Sequence, residues 1–414
     1  MRAVIYPSCP KGAVTLPCSK SIVHRAIFCA MAAGGKSVIE NVEISDDIEA
    51  TIDVCRAFGG TVEMKGRTLT VTAADLVGGP LAINCRQSAA TLRFAIPFAL
   101  CAGREAVFYG EGRLMQRPLG AYAALCAHYG LDFSADKERV CVNGKLRQGK
   151  YIFEQLSSSQ FISGMMMGLG TLEGKSEVLF SLGQPSMPYI LMTASVMDSF
   201  GQKIAYTSGR AVVGGGYQPS VIHAEADWSH AAFFAVMGAA LGDIDCLGLN
   251  VSSYQGDRVI RDYLIAMGAK ASGMRFSKNN SLKAVAFDCG NYPDLAPVIA
   301  AAACFADGIT VISGASRLRF KESDRAEAIV YVINTLGGRS ELEGDIIRIY
   351  PKAPSGGCEI DSMGDHRIAM MEAVLACGAE KPVIIKNAQA IEKSYPRFWE
   401  ALISLGVRIE LLEE

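Results

Sequence analysis

Apolar stretches of helical length recur along the chain, and each closes on a glycine. One series of these glycines is Gly34, Gly103, Gly170, Gly242, Gly308 and Gly378, and a second is Gly59, Gly130, Gly201, Gly268, Gly337 and Gly406. Both series step by about 70 residues, so the chain holds six repeats of one unit. In each repeat a small polar residue precedes the first apolar run: Ser19, Ser88, Ser159, Asp227, Asp294 and Asp365. Such residues cap helix N-termini, and glycine suits the position just past a helix end. β-rich segments follow, as in Lys36–Glu40. A second helical run then ends at the second glycine, as in the stretch from Asp47 to Gly59, and a hairpin pattern closes the unit, as from Thr61 to Val71. The unit reads βαβαββ.

Alternating strands and helices predict an α/β (α+β) architecture, and a hairpin in every unit favours closed, pseudo-threefold domains over an open ridge of repeats. Six units divide into two groups of three. The crossover is expected near residue 225, giving a first domain over 14–224 and a second over 1–13 plus 225–414. The chain start reads as a short strand able to pair with either half, and Gly214–Gly216 as a hairpin turn.

The helix starts carry more charge than a scaffold needs. Lys20, Ser21, His24 and Arg25 crowd the first two turns of the first helix, at i,i+4 spacing. Arg86 and Arg93 flank the start of the third helical run, Ser157-Ser158-Ser159-Gln160 precedes the fifth, and Asp365-His366-Arg367 opens the eleventh. Among the second helices, Arg113 and Arg117 precede Pro118, Lys321-Glu322-Ser323-Asp324-Arg325 opens another, and Lys393 precedes Ser394 and Tyr395. A cation at a helix N-terminus opposes the macrodipole at about 0.3–1 kcal/mol each. That placement makes sense where phosphate or carboxylate binds, because the helix end and the cation attract the same anion. The pattern predicts a cleft for several anionic groups, with the balancing acids lying mostly elsewhere. Asp294, Glu322, Asp365 and His366 are the titratable groups among these cations, as general acids or bases or, for Asp294, as a helix cap.

Composition narrows the class. The chain has 414 residues, of which 50% are hydrophobic and 20% charged, which excludes a disordered polymer. Its 40 basic and 42 acidic residues leave a net charge of −2, which argues against a dedicated nucleic-acid or membrane-surface binder. The 13 cysteines show no C-x-x-C spacing, and several (Cys29, Cys126, Cys304, Cys377) sit in apolar runs. They read as small buried hydrophobes of a reduced, cytoplasmic protein. There is no P-loop and no H-E-x-x-H or Cys/His metal spacing, and the Met165–Met167 run reads as core.

The motifs taken together resemble the 5-enolpyruvylshikimate-3-phosphate synthase (3-phosphoshikimate 1-carboxyvinyltransferase) family of enolpyruvyl transferases. The similarity rests on Lys20-Ser21 with His24-Arg25, Arg113-Leu114 with Arg117-Pro118, Ser158-Ser159-Gln160, Ser186 with Pro188-Tyr189, Pro293-Asp294, Arg319 with Lys321-Glu322-Ser323-Asp324-Arg325, and Asp365-His366-Arg367. It spans Lys11 to about Leu405. The resemblance implies two similar domains of the inside-out α/β barrel type, each of three repeats, with an active-site cleft between them. It implies transfer of the enolpyruvyl group of phosphoenolpyruvate to the 5-hydroxyl of shikimate 3-phosphate, a step of aromatic amino-acid biosynthesis. It implies no metal or organic cofactor, small-molecule substrates as the only partners and a monomer. Carried over by motif, Lys20, Ser21, Arg25, Ser158, Ser159, Gln160, Ser186, Asp294 and Lys321 would contact shikimate 3-phosphate. Lys20, Ala89, Arg117, Gln160, Arg325, Arg367 and Lys393 would form the phosphoenolpyruvate site. Asp294 would take the proton of the attacking hydroxyl, Glu322 with Lys20 would protonate the methylene carbon, and His366 completes the catalytic set.

Two departures from the family pattern stand out. Where the family has G-N-S-G-T, this chain has Arg86-Gln87-Ser88-Ala89-Ala90. The methyl of Ala89 replaces a glycine lining the phosphoenolpyruvate site, which predicts low sensitivity to glyphosate. Arg317 stands where some relatives carry Asn, leaving that substrate contact open. UDP-N-acetylglucosamine enolpyruvyl transferases share the expected fold and donor, but typically open with Lys-Asn and carry a loop Cys, absent from Glu111–Met115 here. A non-catalytic repeat scaffold that binds phosphorylated ligands is the alternative from another class.

Overall fold

The computed structural model describes every residue except 74, 75, 77, 155, 157, 280 and 414, so Ser157 lies outside the described residues. Twelve α-helices occur among them: α1 (Lys20–Met31), α2 (Asp46–Ala57), α3 (Ala89–Ala102), α4 (Gly120–Tyr129), α5 (Gln160–Leu169), α6 (Met187–Ser199), α7 (Trp228–Leu241), α8 (Ile260–Ala266), α9 (Ala296–Ala303), α10 (Arg325–Thr335), α11 (His366–Cys377) and α12 (Phe398–Ser404). Odd-numbered helices are the first of each repeat and even-numbered ones the second.

The two classes differ in burial, as their sequences require. Every residue of α9 and α11 is buried, and all of α7 except Leu241. Apart from the first turns of α7 and α11 and the buried Glu372 of α11, these helices are apolar all round, the pattern of a helix enclosed by its own fold. By contrast α2 buries one side and turns Asp46 and Glu49 toward water. The Met165–Met167 run of α5 is fully buried, as are Cys29, Cys126, Cys304 and Cys377.

The two glycine series serve different needs. All six glycines after the even helices have positive φ, from +65° at Gly130 to +97° at Gly59, a region closed to most side chains. After the odd helices the need is often space. A Cβ on Gly242 would lie 1.8 Å from the Pro10 carbonyl oxygen, and one on Gly378 would lie 2.4 Å from the Phe305 ring.

Six four-stranded sheets share one topology among the described residues. In each, a parallel pair continues into two antiparallel strands, and in four of them an odd helix joins the parallel pair directly. In the second repeat, Leu81–Asn84 runs parallel to Ala106–Tyr109 with Leu81 opposite Ala106. Arg139–Asn143 and then Asp132–Ala135 follow antiparallel.

The chain divides into two compact units, residues 18–225 (the first unit) and residues 1–17 with 226–414 (the second). Each has its own apolar core. The first unit's last strand, Val221–His223, returns to pair with Lys36–Glu40 of its first sheet. The triple glycine therefore belongs to a crossover and not to a hairpin: Gly214 ends one strand and the chain passes on to a different sheet. The chain start is also different from expectation. It forms two strands, both in the second unit: Arg2–Ile5 between Val383–Lys386 and Ile409–Leu412, and Lys11–Thr15 beside Asp243–Leu247. Among the described residues no helix is long and apolar enough to cross a membrane.

Candidate active site

The first unit gathers its functional side chains at the starts of α1, α3, α5 and α6. Lys20, the first residue of α1, reaches across to Asp47 in the first turn of α2, with Nζ 2.6 Å from Oδ2. One turn on, His24 Nδ1 lies 2.6 Å from Thr51 Oγ1, Thr51 bonds Thr91 at 2.7 Å, and Thr91 donates to Ser88 at 2.8 Å. This buried hydrogen-bonded chain ties the three helix starts together. Burial, reinforced by the Lys20 and Arg25 cations against Asp47, pushes the His24 imidazole down to about 3, so it is neutral at pH 7.

Arg25 is 2% exposed and bonds only neutral groups. Its Nε donates to Thr193 Oγ1 at 2.7 Å, Nη1 to the Ser21 carbonyl at 2.7 Å, and Nη2 to the Tyr189 carbonyl at 3.3 Å and Ser163 Oγ at 3.5 Å. The guanidinium carbon also lies 5.2 Å from the centroid of the Phe94 ring. Among the described residues no carboxylate pairs with it. Burial lowers its pKa to about 10, which still leaves it charged at pH 7. A buried cation without an acidic partner is costly by itself and favours an anionic ligand.

Other expected residues of this unit lie at or near helix starts. Arg93 of α3 donates to Gln160 Oε1 at 2.8 Å and to the Pro118 carbonyl at 3.1 Å. Ser158 Oγ accepts from the Gln160 amide at 3.3 Å, and Ser159 is the residue before α5. Ser186 precedes α6 at φ +63°, a left-handed conformation that costs a non-glycine residue about 1 kcal/mol or more. Arg117, half-buried, follows the turn Leu114–Gln116, and Ala89 opens α3 with Ser88 capping it.

The second unit holds a denser cluster built on Arg325. Its Nη1 donates to Asp294 Oδ1 at 2.7 Å and Nη2 to Glu322 Oε2 at 2.7 Å. Its Nε donates to Asp365 Oδ2 at 2.8 Å. Lys321 Nζ lies 3.2 Å from Asp294, Lys393 Nζ 3.9 Å from Glu322, and Arg367 Nη2 3.8 Å from Asp294. Asp365 does double duty: its side chain caps α11 through the Arg367 amide and also receives the Ser323 hydroxyl and amide. His366 is buried beside it, with Nδ1 3.8 Å from Asp365 Oδ1. The structure thus joins Asp294, Lys321, Glu322, Arg325, Asp365, Arg367 and Lys393 in one network. The acids that balance these cations are here and not elsewhere, contrary to the reading of the sequence.

Asp294 is not a helix cap. The helix proper starts after Leu295, and Asp294 sits in the preceding turn Pro293–Leu295 with its carboxylate turned to the cations. Burial raises its pKa, but Lys321, Arg367 and Arg325 outweigh that and hold it well below the usual carboxylate range. It is ionised and able to accept a proton. Burial pushes the Lys321 ammonium down, with Asp294 opposing. Arg367 is 4% exposed, and its Nε and Nη1 are buried without a hydrogen-bond partner among the described residues. A guanidinium with free donors facing inward suits a carboxylate or phosphate.

Comparison with known proteins decides the family. The EPSP synthase (3-phosphoshikimate 1-carboxyvinyltransferase) family matches residues 7–402. The chain belongs to the EPSP synthase family. A 3-phosphoshikimate 1-carboxyvinyltransferase of Clostridium kluyveri is 36% identical, with 98% of this chain and 97% of the relative covered. One from Clostridium acetobutylicum is 36% identical over 97% of this chain and 96% of its own. The solved EPSP synthase of Acinetobacter baumannii shares the fold, with a TM-score of 0.82 at 24% identity and both chains covered in full.

Several side chains that shape this EPSP synthase family site were not singled out from the sequence. Asp47 and Thr193 are distant partners of Lys20 and Arg25. Arg93 was noted among the helix-start cations, but its bond to Gln160 had no signal in the sequence. Among the described residues, no group of three or more His, Cys, Asp or Glu side chains is placed to hold a metal ion.

Proposed function

We propose that the protein transfers the enolpyruvyl group of phosphoenolpyruvate to the 5-hydroxyl of shikimate 3-phosphate, releasing phosphate. Membership of the EPSP synthase family over nearly the whole chain supports this reaction. The observation that carries the site assignment is Arg367, a buried guanidinium with two nitrogens free for an oxyanion.

In this reading Asp294 takes the proton of the 5-hydroxyl as that oxygen bonds to C2 of phosphoenolpyruvate. Glu322, assisted by Lys20, delivers a proton to C3, which gives a tetrahedral ketal. Glu322 then removes a proton from C3 while the C2–O bond to phosphate breaks, and the proton held by Asp294 balances the departing phosphate. Lys20, Arg117, Gln160, Arg367 and Lys393 hold phosphoenolpyruvate, with Ala89 lining the site. Their cations stabilise charge on the leaving group. Lys20, Ser21, Arg25, Ser158, Ser159, Gln160, Ser186, Asp294 and Lys321 hold shikimate 3-phosphate. Arg325 also contacts phosphoenolpyruvate in this reading: its bonds to three carboxylates use four of its five N–H groups and leave one on Nη1. His366 supports Asp365 at the start of α11.

The same reading includes a monomer acting on small molecules in a reducing cytoplasm. Among the described residues no disulfide joins the 13 cysteines, which supports a reducing compartment. It also includes low sensitivity to glyphosate through Ala89.

The test is phosphate release from phosphoenolpyruvate by the purified protein. Release is expected only with shikimate 3-phosphate present. Glu322→Gln and Lys20→Met are expected to lower kcat far more than substrate binding. Release without an acceptor, or with a nucleotide sugar in place of shikimate 3-phosphate, overturns the reading.

A further inference from the structure

The roles above do not include Arg93, a buried cation one turn inside α3 and 7% exposed. Its fork ties three elements together. Nη1 donates to Gln160 Oε1 at the start of α5, at 2.8 Å, and Nη2 to the Pro118 carbonyl ahead of α4, at 3.1 Å. The guanidinium carbon lies 4.8 Å from the centroid of the Phe161 ring, which holds the plane of the fork. The backbone beneath is clamped as well. The buried Tyr122 hydroxyl of α4 donates to the Arg93 carbonyl at 2.6 Å. Gly164 lets α5 come close at the same point, since a Cβ there would lie 2.6 Å from the Arg93 carbonyl oxygen.

The first of these bonds decides which way the Gln160 amide is turned. A guanidinium carries donors only, so the amide atom that meets it must be the oxygen. The amide nitrogen, with its two N–H donors, is therefore turned away from Arg93. A side-chain amide is nearly symmetrical in shape, and without such a partner either end could face a ligand. The choice matters for an anion: an N–H stabilises a phosphate or carboxylate oxygen, whereas a carbonyl oxygen repels it. A lysine could not make both bonds in this geometry, because its ammonium is a single point and not a planar fork. The second bond falls beside Arg117, whose backbone is extended at φ −72° and ψ 139°, as suits the residue before a proline. The Pro118 carbonyl held by Nη2 anchors the chain just after that residue.

We propose that Arg93 is a positioning residue for phosphoenolpyruvate. It turns the Gln160 amide so that a donor meets the anion, and it anchors the chain that carries Arg117. It works through these neighbours and not by its own contact with substrate. The inference rests on the reading of Gln160 and Arg117 as phosphoenolpyruvate residues, and it adds the group that gives the amide its direction.

The experiment is a double-mutant cycle on the full chain. It reads kcat/KM for phosphoenolpyruvate from phosphate release at saturating shikimate 3-phosphate. Arg93→Lys keeps the charge and removes the fork. It is expected to lower kcat/KM at least about tenfold in the wild-type background. In the Gln160→Ala background no amide is left to orient. There the same substitution is expected to cost no more than about threefold, the share carried through Pro118. A merely structural arginine would lower both backgrounds alike. A loss of less than about threefold in the wild type, or one as large in the Gln160→Ala background, overturns the proposal. So does a Gln160→Ala variant with unchanged kcat/KM. If Arg93→Lys does not fold, Phe161→Leu, which removes the ring against the guanidinium, decides alone. Its loss is expected to be smaller in Gln160→Ala than in the wild type, and an equal loss overturns the proposal. A wild type without acceptor-dependent phosphate release would instead sink the functional reading.

Discussion

Each unit buries an arginine, and the two are given opposite surroundings. Arg325 is 1% exposed and bonds three carboxylates. Burial lowers its pKa, but Asp365, Glu322 and Asp294 more than reverse that and bind its proton tightly. Arg25 is 2% exposed and bonds hydroxyls and carbonyls only. The first is a strut: it holds the acids of its own unit at fixed places. In the proposed function the second is a receptor, whose charge is balanced only when an anion arrives. A buried cation thus has two distinct meanings, and its partners, not its depth, tell them apart.

The same substitution at both positions is the strongest way to break this contrast. Arg325→Met leaves Asp294, Glu322 and Asp365 in a buried cluster without their common partner. We expect a loss of about 3–5 kcal/mol in urea unfolding, with activity abolished. A variant as stable as the wild type at pH 7 would remove the strut from the account.

The units also differ in how they answer acid. In the first, an unfolded chain protonates His24 below 6.5, whereas the folded one resists down to about 3. Stability there falls as the pH drops through that window, by about 2 kcal/mol at pH 5. In the second, burial keeps the Asp257 proton on the folded protein up to about 7, whereas the unfolded chain releases it above 3.8. Its contribution therefore grows as the pH falls from 7 to 3.8. Both tryptophans, Trp228 and Trp399, lie in the second unit and report on it. On acidification from pH 7 to 5, far-ultraviolet dichroism should begin to change before tryptophan fluorescence does. His24→Gln, which can still bond Thr51, should bring the two transitions together. Coincident transitions in the wild type would erase the difference between the units.

The contrast shows which parts of the molecule could be read in advance. The repeat was legible because its glycines recur at a fixed spacing, whether the constraint is local, as the left-handed φ of Gly130, or distant, as the Pro10 carbonyl against Gly242. The cations at helix starts were legible because a residue type that opposes the dipole is conspicuous in one dimension. Their partners were not. Lys20 meets Asp47 and Arg25 meets Thr193 across helices that only the folded chain brings together. Asp294 was misplaced for a related reason. Pro293 and Pro297 suit a first helical turn, but the ion pairs draw the carboxylate away from the backbone it would have capped. The chain start could be read as a strand, but its division into two strands could not, since both are fixed by sheets more than 200 residues away.

Arg25→Met sharpens the comparison from the other side. No carboxylate is orphaned, so stability should stay level or rise by up to about 1 kcal/mol. The KM for shikimate 3-phosphate should rise about a hundredfold, the worth of a charge-assisted contact of about 3 kcal/mol. A destabilisation as large as that of Arg325→Met would mean that Arg25 is a strut as well.

Ala89→Gly should change the fold least and selectivity most clearly. Ala89 opens α3, where Ser88 Oγ accepts from the Thr91 amide and remains to cap the helix. Loss of one methyl at a capped first position should lower stability by less than about 1 kcal/mol. The methyl matters for what shares its space. On the proposed placement of Ala89 in the phosphoenolpyruvate site, a compact substrate should tolerate the methyl, whereas a longer competitor such as glyphosate should meet it directly. One methyl in a fitted pocket is worth about 1–3 kcal/mol, so the variant should bind glyphosate at least about tenfold more tightly. Its KM for phosphoenolpyruvate should change far less. The decisive quantity is the ratio of the two, from inhibition assays on wild type and variant side by side. An unchanged ratio would mean that Ala89 shapes the helix start and not the choice of ligand.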